Sequence, residues 1–289
     1  MSAASDPRGV DPSGGTAGWA QGLRTRLIFG VLMGCVALVV LRQGDAAFAT
    51  LVATGSATMA WEWTRLCAPG QRFGRVGVAT AAGFIAAVWL AFLDRTGSAL
   101  LVCLVAAGLA AALSRGREGI APGWAALGIL YLGPALVALV WLRGHDDDGE
   151  RMILWLILTV VVTDTGAFFA GRLSGGPRLA PRISPKKTWA GLGGAVVGSA
   201  GLGIIYASFD ARAPDAGVLA LAGACLACVA QLGDLAESWV KRHFGAKDSS
   251  RLIPGHGGIL DRVDGLVAAA LGFALVKWLL DGRWLTWGG

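Results

Sequence analysis

The chain has 289 residues, of which 55% are hydrophobic and only 15% charged, with a formal net charge of +6. Apolar runs of roughly 16 to 21 residues recur along it, which excludes an ordinary soluble domain and points to a polytopic membrane protein. The cysteines (Cys35, Cys67, Cys103, Cys225, Cys228) are odd in number and fall mostly inside those runs, so no disulfide framework is implied. Cys225-x2-Cys228 has metal-like spacing, but no second pair or nearby His completes a site.

Residues 1–22 are Gly, Ser, Ala, Pro and Asp without an apolar period, and read as a disordered cytosolic tail. Residues 23–289 then form a single transmembrane domain. Arg24 and Arg26 precede the run from Leu27 to Leu41, which would suit a signal peptide if it stood alone. Further spans follow at once, so it reads as a first transmembrane helix. The remaining spans are expected at 46–64, 76–93, 98–113, 123–142, 152–171, 189–208, 216–236 and 261–281. The fold class is therefore an all-α integral membrane bundle of about nine helices. Several spans are short for a hydrocarbon core of about 30 Å, and polar ends or neighbours must compensate. Glycine makes up 44 of the 289 residues, a density that suits close helix packing, as at Gly30-x3-Gly34 and Gly194-x3-Gly198.

With nine helices, the N-terminal side of the membrane carries 18 Lys and Arg against 6 on the other. That bias puts the N-terminus in the cytosol, together with the two longest connections, about 172–188 and 237–260. The acidic run Asp146-Asp147-Asp148 falls on the far side, where a solvated loop accounts for it. None of these connections can hold a soluble catalytic domain. Any chemistry is built from helix ends and short loops at the membrane boundary, on something lipidic or something crossing the membrane.

The polar groups concentrate there. On the eighth span and its continuation, Asp234, Glu237, Ser238 and Lys241 are spaced i, i+3, i+4, i+7 and share one face. Asp261 and Asp264 share the first turn of the last span, where the helix dipole alone would favour acids. The sharper reading is a hard-metal site, since magnesium takes one or two carboxylates and completes its octahedron with waters and phosphate oxygens. Asp234 and Asp261 supply those carboxylates. Gly257 and Gly258 leave amides open before a helix, which suits phosphate. Ser184, Lys186, Lys187 and Thr188 give the other cytosolic loop an anion-binding composition, although a basic patch drawn to anionic lipid would look similar. Asp164, inside the sixth span, is expected to face the bundle interior with a partner. Carboxylates for magnesium, donors for phosphate and a boundary location together fit phosphoryl or nucleotidyl transfer onto a lipid.

The stretch Ser238-x-Val240-Lys241-Arg242-x4-Lys247-Asp248-x-Ser250-x2-Ile253-Pro254-x-His256-Gly257-Gly258-Ile259-x-Asp261-Arg262-Val263-Asp264 resembles, at every fixed position, the signature of the phosphatidate cytidylyltransferases (CDP-diacylglycerol synthases). The resemblance extends to Gly233-Asp234, Ser184-Pro185-Lys186-Lys187-Thr188-Trp189, Asp164-Thr165-Gly166-Ala167-Phe168, Gly171-Arg172 and Trp61-Glu62-Trp63. It thus runs from the first helix onward and is strongest in the catalytic half, about 152–281. It implies that CTP and phosphatidic acid yield CDP-diacylglycerol and pyrophosphate in a bacterial-type inner membrane, with the active site cytoplasmic. Magnesium is implied at Asp234 and Asp261, with Asp264 and Glu237 close by and potassium as a companion ion. The implied partners are membrane lipids and a second copy of the chain, and no nucleic acid.

Phosphate charge then falls to Lys186, Lys187, Lys241, Arg242 and the glycine turn, with Ser184, Thr188, Ser238, Lys247, His256 and Arg262 as further substrate-binding candidates. Where the family usually continues Ser-Pro-Lys-Lys-Thr-Trp with Glu, this chain has Ala190, which shifts acidic load to Glu237 or Asp164. A CDP-archaeol synthase or a polyprenol kinase would share much of this architecture. An ion-coupled transporter would place its acids near the midplane instead.

Overall fold

The computed structural model describes residues 30–116, 119–144, 148–253, 257–279 and 287. The expected tail over 1–22, and His256, lie outside the described residues. Among the described residues nine helices run in chain order, from α1 (Gly30–Arg42) to α2 (Asp45–Cys67), α3 (Arg75–Phe92), α4 (Thr96–Ser114) and α5 (Pro122–Gly144). They continue with α6 (Gly149–Ser174), α7 (Trp189–Phe209), α8 (Ala216–His243) and α9 (Leu260–Leu279). Between α6 and α7 lies an antiparallel hairpin, β1 (Arg178–Ala180) and β2 (Ser184–Thr188), where only a loop was expected.

The expected spans map onto these helices one for one. Six of them, α3 to α8, are long and apolar enough to cross a membrane. α1 is shorter, α9 carries Asp261, Arg262, Asp264 and Lys277, and α2 adds Thr50, Thr54, Ser56, Thr58 and Thr64 to Asp45, Glu62 and Arg65, so these three fall outside that set. Charges placed for another purpose dilute the apolar character of α9 and, with the hydroxyls, that of α2. α8 shows the largest change of length, continuing as helix to His243, well past the expected end at 236.

Capping sets the start of α7 and α8. Thr188 accepts a hydrogen bond from Gly191 N at 3.0 Å at the head of α7, and Asp215 accepts from Gly217 N at 2.8 Å at the head of α8. α6, α7 and α8 then pack through small residues. A methyl group on Gly194 would lie 2.7 Å from Gly166 O, so only glycine lets α6 and α7 approach this closely. Gly34 has no such neighbour.

The two ends of the bundle differ in chemistry. At one end ion pairs tie connections together: Arg42 with Glu150 at 2.9 Å, Arg151 with Asp148 and Asp210, and Arg143 with Asp45 at 2.5 Å. Arg143 also donates to Leu41 O at 3.2 Å, joining α1, α2 and α5. Asp45 is half exposed, so the pair is partly screened and Arg143→Ala is expected to destabilise by about 1–2 kcal/mol. We expect a lower melting temperature in detergent and activity within about twofold of the parent, because Arg143 lies at the end away from the acidic and basic residues singled out in the sequence. The other end gathers the C-terminal turns of α2 and α8 and the N-terminal turns of α5, α7 and α9. There Trp63 Nε1 donates to Trp124 O at 3.0 Å, and Trp124 stacks at 4.8 Å on His243 and 5.8 Å on Trp239.

Candidate active site

Helical spacing on α8 brings its polar residues to one face, and α9 packs against that face. Gly233 makes the close approach possible: a methyl group there would sit 2.4 Å from Ala268 Cβ and 2.9 Å from Asp264 O. Asp234, Glu237 and Lys241 are thereby set against the first turns of α9. Ser238 Oγ donates back to Asp234 Oδ1 at 3.2 Å.

Lys241 is buried and bridges two helices, donating to Glu237 Oε2 at 3.0 Å and to Asp261 Oδ1 at 2.6 Å. A buried ammonium is tolerable only with such partners. Asp261 is held from every side. Ser249 N, Ser249 Oγ and Gly258 N donate to Oδ2 at 2.9, 2.9 and 2.8 Å, and Lys241 takes Oδ1. Gly257 has φ +85°, the left-handed turn that delivers the Gly258 amide, and Ile253 and Gly257 exchange backbone hydrogen bonds at 2.8 and 3.2 Å.

A second lysine comes from the hairpin. Lys187 Nζ lies 2.6 Å from Asp234 Oδ2 and 2.9 Å from Gln231 Oε1, so β2 is pinned to α8. Its strand neighbour Lys186 is exposed and points to the opposite face of β2. Ser184 is half-buried, and Thr188 is engaged as the α7 cap. Arg242 is exposed and donates to Ile183 O at 3.4 Å and Ala246 O at 3.1 Å, which ties the loop after α8 to the hairpin. Lys247 and Arg262 are exposed.

Between the two lysine pairs the acids crowd. Glu237 and Asp264 lie within hydrogen-bonding reach of each other, carboxyl to carboxyl, and Glu237 Oε1 is buried without a donor. Two facing carboxyl groups require a shared proton or a cation. Asp164 is accessible on α6 and lies in the field of Asp264, Asp234, Lys187 and Arg262. Its surroundings are thus the acid cluster and its two flanking cations. Among the described residues, no three acidic, His or Cys side chains converge tightly enough to enclose a metal ion. The donor set still fits magnesium, which needs one or two carboxylates and takes its other ligands from water and phosphate. The unpartnered Glu237 oxygen marks where positive charge is lacking.

In the sequence, Glu62 stands out only as part of Trp61-Glu62-Trp63. In the structure it is fully buried and accepts from Ser250 Oγ at 2.7 Å, Ile259 N at 2.9 Å and Leu260 N at 2.7 Å. The signal was available, because Glu62 is an acid at the end of an apolar span, as Asp234 is. Ser249 and Gln231, which hold Asp261 and Lys187, had no such signal.

Residues 24–280 match the family model described as the cytidylyltransferase family. A phosphatidate cytidylyltransferase of Brucella suis is 45% identical over 251 residues, covering 86% of this chain and 90% of that protein. One from Pseudomonas aeruginosa is 36% identical over 265 residues, covering 89% and 97%. A third, from Staphylococcus haemolyticus, is 42% identical over 138 residues, about half of each chain.

Proposed function

The chain belongs to the cytidylyltransferase family, and from that premise we propose that it is a membrane nucleotidyltransferase making CDP-diacylglycerol and pyrophosphate from CTP and phosphatidic acid. The substrates follow the names of its relatives. The observation that carries the reading is the pair of lysine–carboxylate couples, Lys187–Asp234 and Lys241–Asp261, set at 2.6 Å each around a crowded acid cluster. By the charge bias of its connections this end faces the cytosol, where CTP is found.

In this reading an oxygen of the lipid phosphate attacks the α-phosphorus of CTP, and the bond to the β-phosphate bridging oxygen breaks as pyrophosphate leaves. The attacking group is already anionic, so no strong general base is needed. Positioning and charge neutralisation supply the rate. Lys187 and Lys241 carry positive charge to the phosphates from partly desolvated positions, with Lys186, Arg242, Lys247 and Arg262 on the exposed rim. The amides of the Gly257–Gly258 turn add donors at the head of α9. Asp234, Asp261 and Asp264 would hold magnesium, with potassium as its companion, and the metal when bound withdraws charge from the triphosphate oxygens. A homodimer belongs to the same proposal.

The test is purified protein in detergent with labelled CTP, phosphatidic acid and magnesium. CDP-lipid and pyrophosphate are expected in equal amounts. Absence of a CDP-lipid product would refute the assignment, and faster conversion of an archaeal ether lipid or a polyprenol would redirect it.

A further inference from the structure

Glu62 belongs to α2, in the half of the chain that carries none of the lysine–carboxylate couples. It is nevertheless engaged at both of its carboxylate oxygens. It accepts from Ser250 Oγ, Ile259 N and Leu260 N at 2.7, 2.9 and 2.7 Å, across 188 to 198 residues of sequence. Its relative exposure is 0%, and among the described residues no Lys or Arg forms an ion pair with it. A buried carboxylate without a cation is costly unless fixed dipoles replace the water it has lost. Here the open amides at the N-terminus of α9 do so, satisfying in turn two of that helix's orphan donors.

The same contacts fix what lies next to them. Gly258 is buried against Glu62, and a methyl group on it would lie 2.3 Å from Glu62 Oε1 and 2.1 Å from Ser249 Oγ. The Gly258 amide and the Ser249 amide and hydroxyl are the groups that orient Asp261 Oδ2. Ser250, the other Glu62 partner, follows Ser249 directly. Glu62 therefore clamps both strands of the loop that aims Asp261, one at Ser250 and one at Ile259–Leu260. Asp261 in turn sets Lys241.

We propose that Glu62 is a positioning residue for nucleotidyl transfer, acting through Asp261 and Lys241 without touching substrate. Its assay rests on the cytidylyltransferase reading, but its structural readout does not. Gln at this position keeps the length and one acceptor, yet turns an N–H group toward a backbone donor. Glu62→Gln is expected to lower kcat by about 10- to 50-fold, with KM for CTP and for lipid within about twofold, because the interaction lost is one realised in the transition state. Amide hydrogen exchange in the first turn of α9 is expected to speed up in the same variant.

Ser250→Ala removes one of the clamp's hydrogen bonds and keeps the helix cap. Its kcat should fall by about two- to fivefold, again without a change in KM. Rates are compared well below each variant's melting temperature. A Glu62→Gln enzyme that melts earlier but turns over at the parent rate while folded has lost stability only, and overturns the proposal. So does a loss confined to KM, or unaltered exchange in α9. If Glu62→Gln does not fold, the Ser250→Ala rate decides, and parental kcat there overturns the proposal as well. Failure of the parent protein to make CDP-lipid sinks the functional reading, while the exchange comparison still tests the clamp.

Discussion

Replacing Asp261 by Asn is expected to lower kcat by about 10³-fold, the upper range for removal of one preorganised electrostatic group. Asp261 accepts from four donors on two sides: Lys241 Nζ on Oδ1, and Ser249 N, Ser249 Oγ and Gly258 N on Oδ2. An amide retains one oxygen and puts an N–H group against either the lysine or the loop amides. If its nitrogen faces Lys241, the buried ammonium keeps only Glu237. A buried pair broken from one side costs about 3–5 kcal/mol, less here because Glu237 remains. Part of the loss will therefore appear as lower stability, and the measurement must separate the two. Rates are compared per folded molecule, after size-exclusion and a thermal melt. Turnover within a few-fold of the parent would remove Asp261 from the mechanism. Asp261→Glu provides the second arm: charge is kept, but the longer side chain no longer meets the Gly258 and Ser249 donors, and an intermediate loss is expected.

The geometry behind that expectation was partly legible in the sequence. A helix repeats its face every three to four residues, so Asp234, Glu237, Ser238 and Lys241 could be placed together, and the Lys241–Glu237 and Ser238–Asp234 bonds are i, i+4 pairs. The first-turn acids of α9 were readable in the same way. Contacts between elements were not. Nothing local joins Lys187 to Asp234 across 47 positions, or Glu62 to Leu260 across 198. Those pairs exist because separate elements pack against one another, and packing partners leave no period in a single sequence. The spans show the reverse effect. By apolar length α2 and α9 count with the others, but the charges of α9, and the charges of α2 together with its Thr and Ser residues, leave both outside the six helices with clear membrane-crossing character. The residues that weaken the membrane signal in these two helices include those that build the site.

Lys187→Met is expected to reduce kcat/KM for CTP by about 10²- to 10³-fold while leaving KM for phosphatidic acid near the parent value. The side chain is 16% exposed, and its ammonium meets Asp234 Oδ2, Gln231 Oε1 and, at 3.5 Å, Gln231 O. Methionine preserves the apolar stem, so the helix–hairpin contact is largely kept and the charge alone is removed. Asp234 is 30% exposed on its side chain and is rehydrated, so global stability should change little. Arginine is not expected to rescue, because its planar fork cannot place one donor group on three acceptors around a compact point. Lys186 supplies the internal control. It is the next residue on β2 and carries the same charge, but it points to the opposite face of the strand and is exposed. Lys186→Met should lose no more than about tenfold, the effect of a rim charge that attracts phosphate. As residues of a loop, the two lysines were equivalent candidates, and the hairpin makes them unequal. Equal losses in the two variants would mean that their joint charge, and not the Lys187–Asp234 couple, is what the site uses. A Lys187→Met loss confined to kcat would assign the lysine to holding Asp234, and a rise in KM for CTP would assign it to the triphosphate itself.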